Sequence, residues 1–318
     1  MKTLITGITG FAGGYLAEHS LAAGDEVLGC STHGAWPPKR PERRSSPAHV
    51  RERIEVLRWD LGDPSGLSDD DRAKIAAFAP TCIYHLAAIS VPAYCGAGEP
   101  TAKALAVNVE GAGRVLDLAA SLASRPRVLF TSTSHVYAPA GAGARLNEAA
   151  PLGPRRGYGR TKLAAEQQAL AAFRERGLDV VIARAFQHTG PRQEPEMMLP
   201  EWCQQLAGET PGPIRVHSLN TWIDLTDVRD VVRAYRLLVE RGEPGGIYNV
   251  GSAVPRRTGE IFERLKNLAG SKRRVVEQSA GGERWDPIAD IGRLTAATGW
   301  KAEIPLERTI ADTFESWR

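Results

Sequence analysis

Short apolar runs and longer amphipathic stretches alternate along the first two-thirds of the chain. Runs at residues 2–5, 26–30, 54–59, 81–86, 127–133 and 179–184 have the length and character of buried strands. Between them, residues 14–21, 101–124 and 158–176 carry apolar positions at helical spacing. This rhythm predicts an α/β fold: a parallel sheet with right-handed crossovers and helices on both faces. After Arg184 the rhythm loosens into loops rich in Pro and Gly at 191–200 and 208–213. Residues 247–250 read as a return to the sheet, and 251–318 as short helices with a Trp-containing tail. The expected division is a main domain over 1–184, with 214–250 returning to it, and a smaller lobe from 185–213 and 251–318.

Composition fits that division. The chain has 318 residues, 42% of them hydrophobic and 24% charged, enough for one large α/β domain and a lobe. No apolar run reaches the length of a membrane span, and the start lacks the pattern of a secretory signal. Cys30, Cys82, Cys95 and Cys203 show no C-x-x-C spacing, so they read as reduced thiols rather than a metal site or a disulfide frame. A cytoplasmic protein with no membrane partner and no metal is expected. The net charge of +3 is too mild to argue for nucleic acid. No internal repeat is present.

The first strand breaks into Gly7-Ile8-Thr9-Gly10-Phe11-Ala12-Gly13 and enters a helix. A strand that turns through glycines into a helix leaves backbone N–H groups free at the positive end of the helix dipole, where a pyrophosphate binds. Gly7 suits the tight turn, Gly10 the approach of phosphate, and Gly13 close packing of helix on sheet. Strand and helix stand where a dinucleotide fingerprint needs them, so a doubly wound sheet of the Rossmann type is expected. The second strand ends Cys30-Ser31-Thr32-His33, without the carboxylate that would hold the ribose 2′-OH of NAD. The polar segment 34–53 follows, with Lys39, Arg40, Arg43, Arg44, Arg51 and Arg53. Its composition is that of a solvated loop, yet Ser31 and Thr32 beside these bases suit a 2′-phosphate. NADP(H) is favoured over NAD(H). The loop has no aromatic residues interleaved with its bases for stacking, so a nucleic-acid partner is not expected.

Tyr158 and Lys162 lie four apart on a predicted helix and share one face. A neighbouring ammonium favours the phenolate and brings the phenol toward acid–base work. Thr131-Ser132-Thr133-Ser134 supplies hydroxyls at the C-terminal end of a strand, the edge where open α/β sheets bind ligands.

With these residues in place, the chain resembles the extended short-chain dehydrogenase/reductase family of nucleotide-sugar epimerases, dehydratases and reductases. The resemblance rests on the glycine run, Asp60-Leu61, His85-Leu86-Ala87-Ala88, Asn108 in its N-V-E-G stretch, Thr131 to Tyr137, the Tyr158/Lys162 pair and Thr226 to Asp230. It implies that Thr133, Tyr158 and Lys162 are the catalytic set. It implies cofactor contacts at Gly7, Thr9, Gly10, Phe11, Ala12, Gly13, Ser31, Thr32, Asp60, Leu61, Leu86, Ala87, Ala88, Asn108, Tyr158 and His188, with Lys162 also on the nicotinamide ribose. The run Arg184 to Gln193 and the tail 294–312 are similar to GDP-mannose dehydratases and GDP-4-keto-6-deoxymannose reductases. A homodimer through the 101–124 and 158–176 helices is implied as well.

The departures narrow the reaction. His135 stands where the dehydratase branch has a Glu, which argues for reduction or epimerisation; its plainer reading is a strand-end residue lining the pocket. Gln187 replaces the usual Asn of the substrate loop, and Trp222-Ile223 stands where a phosphate-pairing Arg is expected. Arg192, Arg215 or Arg284 then supplies that charge, and Ser134, His135 and Gln187 complete the substrate-side candidates. The expected activity is NAD(P)H-dependent reduction of the C4 ketone of a GDP-4-keto-6-deoxyhexose. A 4-epimerase, a GDP-mannose 4,6-dehydratase and a non-catalytic dinucleotide-binding protein are the alternatives.

Overall fold

The computed structural model describes residues 1–37, 46–208, 212–279 and 281–318. Seven strands form the main sheet: β1 (Lys2–Thr6), β2 (Glu26–Ser31), β3 (Val56–Arg58), β4 (Cys82–His85), β5 (Arg127–Thr133), β6 (Val180–Ala185) and β7 (Ile247–Val250). They lie in the order β3-β2-β1-β4-β5-β6-β7, every neighbouring pair parallel. The order turns back at β1, so the crevice for a ligand opens between the carboxyl ends of β1 and β4.

The strands read as near-continuous apolar runs because both faces are covered. Their two-residue period sorts them into two cores. Ile5, Leu129, Val181 and Ala183 face the helices Phe11–Ala22 and Val228–Arg241. Leu4, Val128, Phe130, Val180 and Ile182 face Gly111–Ser121 and Gly157–Arg176.

The expected helix over 101–124 is interrupted. Thr101 accepts from the Ala104 amide and starts a single turn, Ala102–Leu105. A π-turn then spans Ala106–Glu110 before the helix resumes at Gly111. The widened turn carries Asn108, whose side chain bonds both the amide and the carbonyl of Ile89 and the Thr161 hydroxyl. Such bulges cluster at functional sites. On these helices Val115, Leu116 and Leu118 are buried in the core, Leu163, Ala164 and Leu170 are half-buried, and Leu105 is exposed.

The smaller lobe has its own sheet and core. Thr221–Asp227 pairs with Pro255–Arg257, with Arg284–Trp285 and with Gln187–Thr189. Residues 214–227 therefore belong to the small lobe, and the return to the main domain begins with the helix at Val228, not at 214. Trp202, Ile223, Phe262, Ile310 and Phe314 fill the lobe. The lobe hangs over the carboxyl edge of the main sheet and closes a cleft against it.

Candidate active site

The cleft has a volume of about 940 Å³, toward the top of the ~300–1,000 Å³ common for ligand sites. One end is built from main chain. Gly7 turns at φ +72°, and a Cβ there would lie 2.7 Å from the Ala87 amide nitrogen. A Cβ on Gly13 would lie 2.2 Å from the Gly7 carbonyl oxygen. Gly10 begins the Phe11–Ala22 helix with no side chain to cap it, so the first-turn N–H groups face the cleft without a side-chain acceptor. The donor set fits the pyrophosphate of a nicotinamide dinucleotide.

The wall continues along Ser31, Thr32, Trp36, Ser46, Trp59, Asp60 and Leu61 on one side, and Leu86, Ala87 and Ala88 on the other. Asp60 is already engaged, accepting from the Gly62 amide at 2.9 Å. Lys39, Arg40, Arg43 and Arg44, which carry much of the charge expected near a 2′-phosphate, lie outside the described residues. Phe11 stacks on His188 at 6.1 Å, pinning the start of the helix against the substrate-side loop.

The reacting end is made of side chains. Tyr158 and Lys162 rise from the Gly157–Arg176 helix beside the end of β5, and the Thr133 hydroxyl lies against the Tyr158 phenol. Thr133, Ser134, His135, Tyr158 and Lys162 all line the cleft. Burial pushes the Tyr158 phenol up to about 12, and the contact with Thr133 only partly opposes this. Burial also lowers Lys162 to about 8, against the pull of Glu166. Its ammonium sits 5.1 Å over the Phe130 ring.

Behind them is an ion pair the sequence reading missed. The side chains of Arg184 and Glu166 are 2% and 1% exposed and meet at 2.5 Å. Ser132 donates to Glu166 at 2.7 Å, and Arg184 reaches the Tyr137 hydroxyl at 3.0 Å. Glu166 follows Lys162 by one helical turn, a spacing that could have shown it.

The remaining candidates separate. Gln187, His188, Arg192 and Arg284 line the cleft. Arg192 is in the left-handed region, at φ +70°, with its guanidinium 3.6 Å from the Tyr15 ring centre and paired with Glu18. Asn108 is buried and does not line the cleft; it shapes the Ile89 turn instead. Arg215 is exposed on Ile214–Val216 and does not line the cleft either. Asp286, unremarked in the sequence, does line it and accepts from Gln187 Nε2 at 2.8 Å.

A sequence model of the NAD dependent epimerase/dehydratase family matches residues 3–251. The chain belongs to that family. It is an NAD(P)-dependent enzyme of this kind, and Thr133, Tyr158 and Lys162 lie at one cleft. It is 27% identical to GDP-6-deoxy-D-mannose reductase of Pseudomonas aeruginosa, over 99% of this chain and 97% of that one. Its fold matches RMD from Pseudomonas aeruginosa complexed with NADPH, with TM-score 0.80, 27% identity and coverage of 100% and 99%. It also matches UDP-glucose 4-epimerase of Thermus thermophilus in complex with NAD, with TM-score 0.82, 25% identity and coverage of 100% and 99%. Dehydratases of dTDP-glucose are similar over nearly the whole chain as well, at 27% identity. Among the described residues, no helix is long and apolar enough to cross a membrane.

Proposed function

We propose that this enzyme reduces the C4 ketone of a GDP-4-keto-6-deoxyhexose with NADPH. The observation that carries the reading is the Tyr158 phenol against the Thr133 hydroxyl in the cleft, with Lys162 one helical turn away. A reductase needs a proton donor at the forming alkoxide. Thr133 holds the carbonyl oxygen and Tyr158 delivers the proton. Lys162 stabilises the phenolate left behind and holds the nicotinamide ribose. When bound, the reduced nicotinamide supplies the hydride. The full-length likeness to a GDP-6-deoxy-D-mannose reductase supports the substrate.

Dehydration needs a further acid–base group for the C5 proton and the C6 hydroxyl. His135 is the residue beside Tyr158, with ring centres 5.6 Å apart, and burial lowers its pKa. A neutral imidazole there is a poor acid for a leaving hydroxide. With NADPH and GDP-4-keto-6-deoxymannose we expect one cofactor oxidised per sugar reduced. With NADP⁺ and GDP-mannose we expect no 4-keto-6-deoxy product; its formation at an ordinary enzymatic rate replaces this reading with a dehydratase. Interconversion of hexoses at C4 with no net cofactor change replaces it with an epimerase.

The preference for NADPH rests on Ser31 and Thr32 at the ribose end, where a carboxylate would suit NADH. RMD, complexed with NADPH, is in keeping with it. Calorimetry with equal or tighter binding of NADH overturns it. The homodimer belongs to the same reading, and sedimentation as a monomer at micromolar concentration counts against it.

A further inference from the structure

Asp286 stands where the two lobes meet. Its amide bonds the Trp222 carbonyl at 2.9 Å, just past the end of the Arg284–Trp285 strand. That strand is braced by the Trp222 and Trp285 rings, stacked 4.9 Å apart and 10° from parallel. From this fixed base the carboxylate points across the cleft and accepts from Gln187 Nε2 at 2.8 Å. Gln187 begins the strand that follows β6 and pairs with Thr221–Asp227, so the bond lies within the small lobe, just past the carboxyl end of the main sheet. Arg284 lies 3.2 Å from the other carboxylate oxygen.

Asp286 and Arg284 both line the cleft and pair with each other, but the two charges are not equally screened. The Asp286 side chain is 24% exposed, whereas that of Arg284 is 58% exposed and screened by solvent. Burial disfavours a charged His135; among the charges around it, Asp286 favours the protonated ring and Arg156 opposes it. His135 in turn stands edge-on to Tyr158. His135, Gln187 and Asp286 line the same cleft as Thr133 and Tyr158.

We propose that Asp286 determines substrate specificity: its carboxylate accepts hydroxyl groups of a neutral hexose and excludes hexuronates. The proposal rests on the nucleotide-sugar reading above. Hydroxyls satisfy a carboxylate acceptor, whereas a second carboxylate brought beside it leaves two like charges in a partly desolvated space.

The test is calorimetry on the NADP⁺-loaded protein with matched pairs, GDP-mannose against GDP-mannuronate and UDP-glucose against UDP-glucuronate. In the pair whose nucleotide binds, the neutral sugar should bind at least about tenfold more tightly. Asp286→Asn keeps an oxygen for Gln187 but removes the charge, and should bring the two members of the pair within about threefold. Asp286→Glu keeps the charge and should keep the ranking, which separates charge from local misfolding. Equal binding of the pair by the wild type, or an undiminished preference in Asp286→Asn, overturns the role of Asp286 while leaving the nucleotide-sugar reading intact. Binding of NADP⁺ with no binding of any of the four sugars overturns that reading itself.

Discussion

The two ends of the cleft are built from different materials. At the cofactor end, Gly7, Gly10 and Gly13 present main chain, and their use depends on having no side chain. At the reacting end, Thr133, Tyr158, Lys162, Gln187 and Asp286 present side chains gathered from both lobes. A main-chain site accepts almost no change at its glycines, but it is indifferent to which sugar is bound. A side-chain site tolerates substitution one group at a time, and each group carries a separable role.

The largest effect should come at the main-chain end. In Gly13→Val the new side chain begins 2.2 Å from the Gly7 oxygen, and neither backbone segment can give way without moving the turn. We expect cofactor affinity to fall by more than about a hundredfold, consistent with the ~1–3 kcal/mol usual for overpacking and more where backbone is struck. Calorimetry with NADPH measures this. Affinity within tenfold of wild type would show that the turn is looser than its geometry.

Tyr158→Phe should separate the ends most cleanly. Cofactor binding should stay within about threefold, while turnover falls about a hundredfold or more, the scale for loss of a general acid. Steady-state kinetics beside calorimetry decides; near-normal turnover removes Tyr158 from the mechanism.

Lys162 tests what the reacting end costs the fold. Burial lowers its pKa from 10.5 to about 8, so the folded state binds this proton less tightly than the unfolded chain. The resulting penalty is fully present below pH 8 and disappears as pH rises from 8 through 10.5. Lys162→Met should therefore stabilise the cofactor-free protein at pH 7 by about 1–2 kcal/mol, less than the full linkage because contacts to Phe130 and Glu166 are lost. The gain should shrink between pH 8 and 10.5 in denaturant titrations, while turnover drops. Destabilisation at pH 7 would mean that the ammonium is well solvated or well paired.

The same contrast explains what was legible beforehand. Six of the seven strands are buried on both faces, all but the edge strand β3, and so announce themselves as apolar runs. The glycines are legible because main-chain sites leave only glycines behind. Tyr158 and Lys162 are legible because a helix fixes their relation within one turn. The helix Asp69–Phe78 was missed although Ser68 caps it and Ala79 ends it at φ +51°, because it is polar and buries little beyond Ile75. The π-turn at Ala106–Glu110 leaves no trace in periodicity, and the partner that Asn108 holds from it, Ile89, lies outside the helix. Asp286 was invisible because Gln187 is 99 residues away along the chain, and no spacing rule links them.

Arg215 and Arg284 were equal candidates for the missing phosphate-pairing charge, and in the structure both lie in short extended segments of the small lobe. The structure parts them by strand phase. Ile214 and Val216 are buried, so the two-residue period turns Arg215 outward to solvent. Its main-chain amide and carbonyl both bond Gln205 at 2.8 Å, contacts that do not depend on its side chain. Arg215→Ala should therefore leave the substrate KM within about twofold and stability within about 0.5 kcal/mol, as for other exposed sites. Arg284→Ala, at the cleft and beside Asp286, should raise KM by about fivefold or more, the scale of one partly exposed charged contact. Equal effects from the two substitutions would mean that substrate charge is read well beyond the cleft, and the side-chain end would then be larger than its lining residues.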